Sequence, residues 1–149
     1  MMRGVRQLLS WILAFALIAL ALHVTLHPWP NPPEGRVWLF DPPGANFLFA
    51  QLSDLSRYPI ADPAGRLAAG LVLLLAVLAL LLPPARRFGA GLCAIVFGAL
   101  VGFHLSPWLG REIALGGGET DGGETFTLHL IGLVAALLIT VVHPKRARR

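Results

Sequence analysis

Five histidines are the residues of this chain best suited to chemistry: His23, His27, His104, His129 and His143. An imidazole titrates near neutral pH, ligates transition metals and hydrogen-bonds carbonyl groups. His23 and His27 are four residues apart, so on a helix their rings share one face. His23, His104 and His129 each fall a few residues inside the end of a long apolar stretch. If those stretches are helices, the three depths agree within roughly 3–5 Å at 1.5 Å per residue. This spacing predicts a shared pocket beneath one surface, lined by His23, His27, His104 and His129. Its candidate ligands are a quinone, through its carbonyls, and less readily a metal or haem iron. A metal site built on His23 and His27 needs a third ligand from elsewhere. The competing reading leaves each ring at the level of lipid headgroups, where water satisfies it. His143 belongs to the opposite end.

The other side chains offer less. Arg66 opens the second apolar stretch, where it can reach toward headgroups or pair with Asp62 or an acid of a later loop. Asp121 and Glu124 are the candidate charged partners in that loop. With Glu112 and Glu119 they form an acidic face, suited to solvent or to weak cation binding. Ser10, Ser106 and Thr127 have no neighbours that suggest a nucleophile. No phosphate-binding loop, GxSxG elbow or dinucleotide fingerprint occurs. Cys93 is the single cysteine, so neither an internal disulfide nor a CxxC redox pair is available. No complete catalytic set emerges, and whether the chain is an enzyme stays open.

These residues must be positioned by four apolar stretches, near residues 8–26, 65–82, 88–105 and 126–142. Each approaches the roughly 20 residues a membrane-crossing helix needs, and each is apolar around its circumference. Of the 149 residues, 56% are hydrophobic and 13% charged. A soluble domain carries about 25% charged residues, so the surface suits lipid better than water. The expected fold is an all-α integral membrane protein, one domain over residues 1–149, built as a four-transmembrane-helix bundle. Two longer loops, 27–64 and 106–125, join the helices at one end. Residues 46–56, with Phe47, Leu48, Gln51, Leu52 and Leu55 on one face, predict a short external amphipathic helix on the membrane surface or capping the bundle. The prolines Pro28, Pro30, Pro32 and Pro33 predict an extended lead-in. Trp29, Trp38, Tyr58 and Trp108 fall where an aromatic belt would lie.

Charge orients the bundle. Arg3, Arg6, Arg86, Arg87, Lys145, Arg146, Arg148 and Arg149 are eight of the twelve basic residues, and all lie at one end. The positive-inside rule places that end, with both termini, in the cytoplasm. All eight acids fall at the other end. The net charge of +4 is clustered at the ends of apolar stretches, which argues against nucleic acid as a partner. The first stretch reads as a retained anchor: Ala19-Leu20-Ala21 resembles a cleavage site, but the apolar run continues to Leu26. Ala90, Ala94, Gly98 and Gly102 recur every four residues, as do Gly132, Ala136 and Thr140. Such stripes let helix backbones approach closely, either within the bundle or in a homo-oligomer.

Residues 44–149 resemble the DoxX-like family of four-helix bacterial membrane proteins. Pro63-Ala64-Gly65-Arg66 leads into a leucine-rich helix, Leu82-Pro83 closes it, and Arg86-Arg87-Phe88-Gly89-Ala90 opens the next. His104-Leu105 ends the third, and Asp121-Gly122-Gly123 precedes the last, which ends in a basic tail. The resemblance implies a bundle in the bacterial cytoplasmic (inner) membrane. It also implies membership of a membrane redox complex, as a subunit or scaffold beside other membrane or periplasmic redox proteins. His104 and Arg66 match the family pattern. The alternative function is a small oligomeric transporter or channel, against which stands the lack of an ionisable residue near the middle of any stretch.

Overall fold

The computed structural model describes residues 2–27 and 34–143. Its four long helices are α1 (Met2–Leu26), α3 (Ala64–Leu81), α4 (Arg86–His104) and α5 (Glu124–Val142), and a short helix, α2, spans Phe47–Ser56. All four long helices are apolar enough, with their flanking turns, to cross a membrane. Even the shortest, α3, extends about 27 Å at 1.5 Å per residue, close to the hydrocarbon thickness. Their inward faces carry Leu17, Leu73, Phe97 and Ile139, all fully buried. Their outward faces leave Ile12, Leu71, Ile95 and Val141 more than half exposed. In water such faces would be aggregation surfaces, and lipid is the solvent that suits them.

The helices form a square in which α1 neighbours α3 and α5, and α4 neighbours the same two. The start of α1, the turn Pro83–Ala85 and the end of α5 meet at one end, called here the termini end. Arg6 donates to the Val141 carbonyl there, and Arg87 to that of His143. The loops occupy the other end. Close packing depends on glycine at two places. A Cβ on Gly89 would come within 2.7 Å of the Ala76 carbonyl oxygen and 2.9 Å of the Leu80 nitrogen, so α3 and α4 touch backbone to backbone. A Cβ on Gly132 would meet the Phe97 ring at 2.7 Å.

The small-residue stripes are only partly used within the chain. Gly132 and Ala136 are buried, Ala94 and Gly98 are half-buried, and Gly98 faces Leu133. Gly102 is exposed with nothing within 4 Å of its Cβ position.

The helix ends differ from the hydropathy reading for a physical reason. α1 begins at Met2 rather than near residue 8, because the hydrogen-bonding pattern continues through polar residues that hydropathy does not count. α2 matches the expected position, but its buried face is Leu48, Phe49 and Leu52, while Leu55 is exposed. It caps the loop end: the Gln51 amide donates to the Leu109 carbonyl and accepts from the Ala114 N–H. The second loop, expected as glycine-rich chain, folds into a small hairpin of β1 (Ala114–Gly116) and β2 (Glu119–Thr120). Left-handed Gly116, Gly117 and Gly118 make its turn, a conformation that side chains disfavour. Trp29, the proline segment 28–33 and the basic residues Lys145, Arg146, Arg148 and Arg149 lie outside the described residues.

Candidate functional site

The loop end is organised by a carboxylate inside the first loop. Asp41 accepts from the backbone N–H groups of Gly35 and Val37 at 3.0 and 2.8 Å, and from the Asn46 amide at 2.6 Å. Asn46 is fully buried and caps α2, accepting from the Phe49 N–H. This is the expected role of an asparagine just before an apolar helical run. The same loop closes on α1, where the N–H groups of Trp38 and Leu39 donate to the carbonyls of Val24 and Thr25. Those carbonyls belong to the last turn of α1 and would otherwise lack partners. Trp38 is therefore buried, with its edge on Phe49, and is not part of an exposed aromatic belt. Tyr58 and Trp108 remain exposed.

Arg66 completes this framework. It is 1% exposed, and its Nε donates to the Asp62 carboxylate at 2.5 Å. Its other nitrogens donate to the carbonyls of Trp38 and, at 2.9 Å, of Asp41. One guanidinium thus ties α3 to two points of the first loop, and it meets neither Asp121 nor Glu124. Asp121 instead pins the second loop, accepting from the N–H groups of Ile113, Gly123 and Thr125. Burial pushes its carboxyl pKa up, but these bonds and the Thr125 side chain outweigh that and hold it below the usual value. Glu124 lies 3.9 Å from Arg36 at the protein surface.

The four loop-end histidines separate into two pairs. His104 and His129 are both 1% exposed, with His129 Nδ1 3.3 Å from His104 Nε2. His104 Nδ1 is 2.8 Å from the Gly110 carbonyl, which can only accept, so that nitrogen carries the proton. Nε2 is then left to accept from His129. The pair is enclosed by Phe97, Phe126 and Trp38, with ring centroids 5.5–6.0 Å away. It is a satisfied, buried polar element.

His23 and His27 are different. Their ring centroids are 5.0 Å apart, and both line a cavity of about 190 Å³. Trp38, Phe47, Leu48, Ile113 and Leu128 provide its apolar walls, while Arg36, Asn46, Glu124 and Thr125 provide polar groups. Trp38 also touches His129, so one indole borders both pairs. His27 closes α1 in the left-handed conformation at φ 44°, its N–H donating to the carbonyls of Leu22 and His23. Glycine is the usual residue there. His27 Nδ1 is buried and has no partner among the described residues. A strained backbone and an orphaned ring nitrogen coincide at one cavity wall, and such costs collect at functional sites.

Among the described residues, no three His, Cys, Asp or Glu side chains are placed to hold a metal ion together. A second, larger groove of about 760 Å³ opens between α2, α3 and α4, lined mostly by apolar residues such as Leu52, Ala68 and Leu100. It brings together no set of reactive side chains. The sequence pointed to His23, His27 and Glu124; it did not single out Asn46, although an asparagine just before an apolar helical run is a signal that could have found it. Nothing in the local sequence marks Arg36 or the buried position of Trp38. Comparison with protein-family models, curated proteins and solved structures returned no match.

Proposed function

We propose that the chain is a DoxX-like subunit of a membrane redox complex, and that the cavity beside His27 binds a quinone headgroup. The observation that carries this reading is the buried Nδ1 of His27, which has no partner among the described residues, on a residue that lines a cavity with aromatic walls. A quinone ring is flat and apolar with two carbonyl acceptors. His23 and His27 can donate to one carbonyl, and Arg36 at the rim can donate to the other. Trp38 and Phe47 supply faces against which the ring packs. Quinone reduction takes up two protons, and the imidazoles and Glu124 are groups that can pass them. The two electrons come from a redox partner docked at the loop end, since the single thiol of the chain, Cys93, cannot supply them by forming a disulfide within it.

In this reading the chain resides in the bacterial inner membrane. The basic termini end faces the cytoplasm, as the positive-inside rule requires. The loop end then faces outward, toward periplasmic or membrane redox proteins. Purification from native membranes in mild detergent tests the proposal. Co-purifying redox proteins and near-stoichiometric extractable quinone are expected, with quinone lost from His27→Leu. Recovery of the protein alone, without quinone, refutes it.

A further inference from the structure

The termini end contains a buried positive charge that nothing yet described explains. Arg86 opens α4 and is 1% exposed. Its Nε donates to the Leu80 carbonyl at 3.0 Å, and Nη1 donates to Ser10 Oγ at 3.2 Å. Its guanidinium carbon lies 3.6 Å from the Trp11 ring centroid, a cation–π geometry that fixes the plane of the group. Nη2 is buried and has no partner among the described residues. The next residue repeats the pattern. Arg87 donates through Nη2 to the His143 carbonyl at 2.5 Å, while its Nε is buried and has no partner among the described residues.

The two guanidinia are joined by one chain of hydrogen bonds. Ser10 Oγ links Arg86 to His143 Nδ1, 2.8 Å away, and His143 in turn holds Arg87. Two like charges are thus held together with no carboxylate beside them among the described residues. Every Asp and Glu in the chain lies between residues 34 and 124, at the far end. The carbonyls that Arg86 and Arg87 cap carry only partial charge, roughly half an electron per helix end. The N-termini of α1 and α4 lie at the same end and cancel that contribution. Burial of unpaired cationic N–H groups is costly. An anion at the α4 N-terminus relieves it, receiving the free guanidinium N–H groups and the first amides of the helix.

We propose that Arg86 and Arg87, with the N-terminal amides of α4, form a site for the phosphate of an anionic lipid headgroup. The surrounding surface favours a lipid over a free ion. Phe88 is 60% exposed beside Arg87, Leu82 is 57% exposed, and Trp11 stacks on the exposed Phe15. These apolar side chains lie along the helices beside the phosphate position, where acyl chains would run. The inference rests on the reading of the helices as membrane-spanning, with this end at headgroup depth, and is independent of quinone binding.

Native mass spectrometry of the purified protein with equimolar phosphatidylglycerol and phosphatidylcholine tests it. Each arginine near a membrane surface contributes about 1 kcal/mol of attraction to anionic lipid, so at least tenfold preferential retention of phosphatidylglycerol is expected. Arg87→Gln should lose most of that preference and Arg86→Gln all of it. Arg86→Gln also removes two bonds between helices, so the half-buried Arg87 serves as the second, gentler variant. Arg111→Gln, at the loop end, should retain wild-type preference. A separate arm adds inorganic phosphate alone and follows thermal unfolding. If free phosphate stabilises as strongly as phosphatidylglycerol, the lipid assignment is overturned in favour of the ion. Equal retention of both lipids by wild type, or unchanged preference in both variants, overturns the site altogether.

Discussion

Replacing His27 by glycine should make the protein more stable while removing its ligand. The residue is at φ 44°, in the left-handed region. An L-residue pays about 1–2 kcal/mol for that conformation, and glycine avoids it. The variant also removes a buried ring nitrogen that has no partner among the described residues, whose desolvation costs about 1–3 kcal/mol. Against these stand glycine's greater backbone entropy in the unfolded chain, about 0.5–1 kcal/mol, and the lost packing on His23, about 0.5–1.5 kcal/mol. The balance favours His27→Gly by about 2 kcal/mol. Equilibrium unfolding in mixed micelles measures it, with His27→Asn as a variant that tolerates the same backbone. Destabilisation of His27→Gly by 1 kcal/mol or more would show that the imidazole holds the loop in place. The inference that it is kept for a ligand would then fail.

Other substitutions separate packing from function. Gly89→Ala should cost about 1–3 kcal/mol, because its methyl meets backbone atoms of α3 that cannot yield. Gly102→Ala should be close to neutral in the monomer, and loss of a cross-linked dimer in that variant would reveal a homo-oligomer face. Arg66→Met should destabilise by about 3–5 kcal/mol, since it leaves the Asp62 carboxylate without its cation, held only by the Gly44 N–H, and frees two buried carbonyls; Arg66→Lys should recover part of the loss. Stability should also fall in acid. Burial, reinforced by Arg86 and Arg87 against a bond to the Pro83 carbonyl, lowers the His143 pKa below 6.5. The unfolded chain therefore binds that proton first, and stability present above pH 6.5 declines as pH drops below it. Asp121, held below its ordinary 3.8, adds a loss as pH falls through that value toward its folded pKa. His143→Gln should remove the first decline and leave the second, as followed by unfolding across pH.

The four long helices were legible because helices apolar enough to cross a membrane announce themselves by composition alone. Depth was legible too, since counting residues from a helix end placed His23, His27, His104 and His129 at one end. Which histidines meet was not. Pairing depends on the rotation of each helix about its axis, and hydropathy that is nearly uniform around a helix carries no record of rotation. Arg66 and Asp62 are four residues apart, so their bond could be anticipated. The burial of Trp38 could not, because it follows from loop N–H groups reaching back to carbonyls of α1. The Gly89 contact was hidden for a related reason: the four-residue stripe began at Ala90, and the backbone contact with α3 is one residue earlier.

The most direct test is a binding titration of a short-chain quinone into the purified protein in lipid nanodiscs. Trp38 lines the cavity, so bound quinone should quench its emission. The expected result is saturable, one-to-one quenching in wild type that survives His129→Gln and weakens at least tenfold in His27→Gly. Non-saturable quenching, or the same affinity in wild type and His27→Gly, would contradict a quinone site at this cavity.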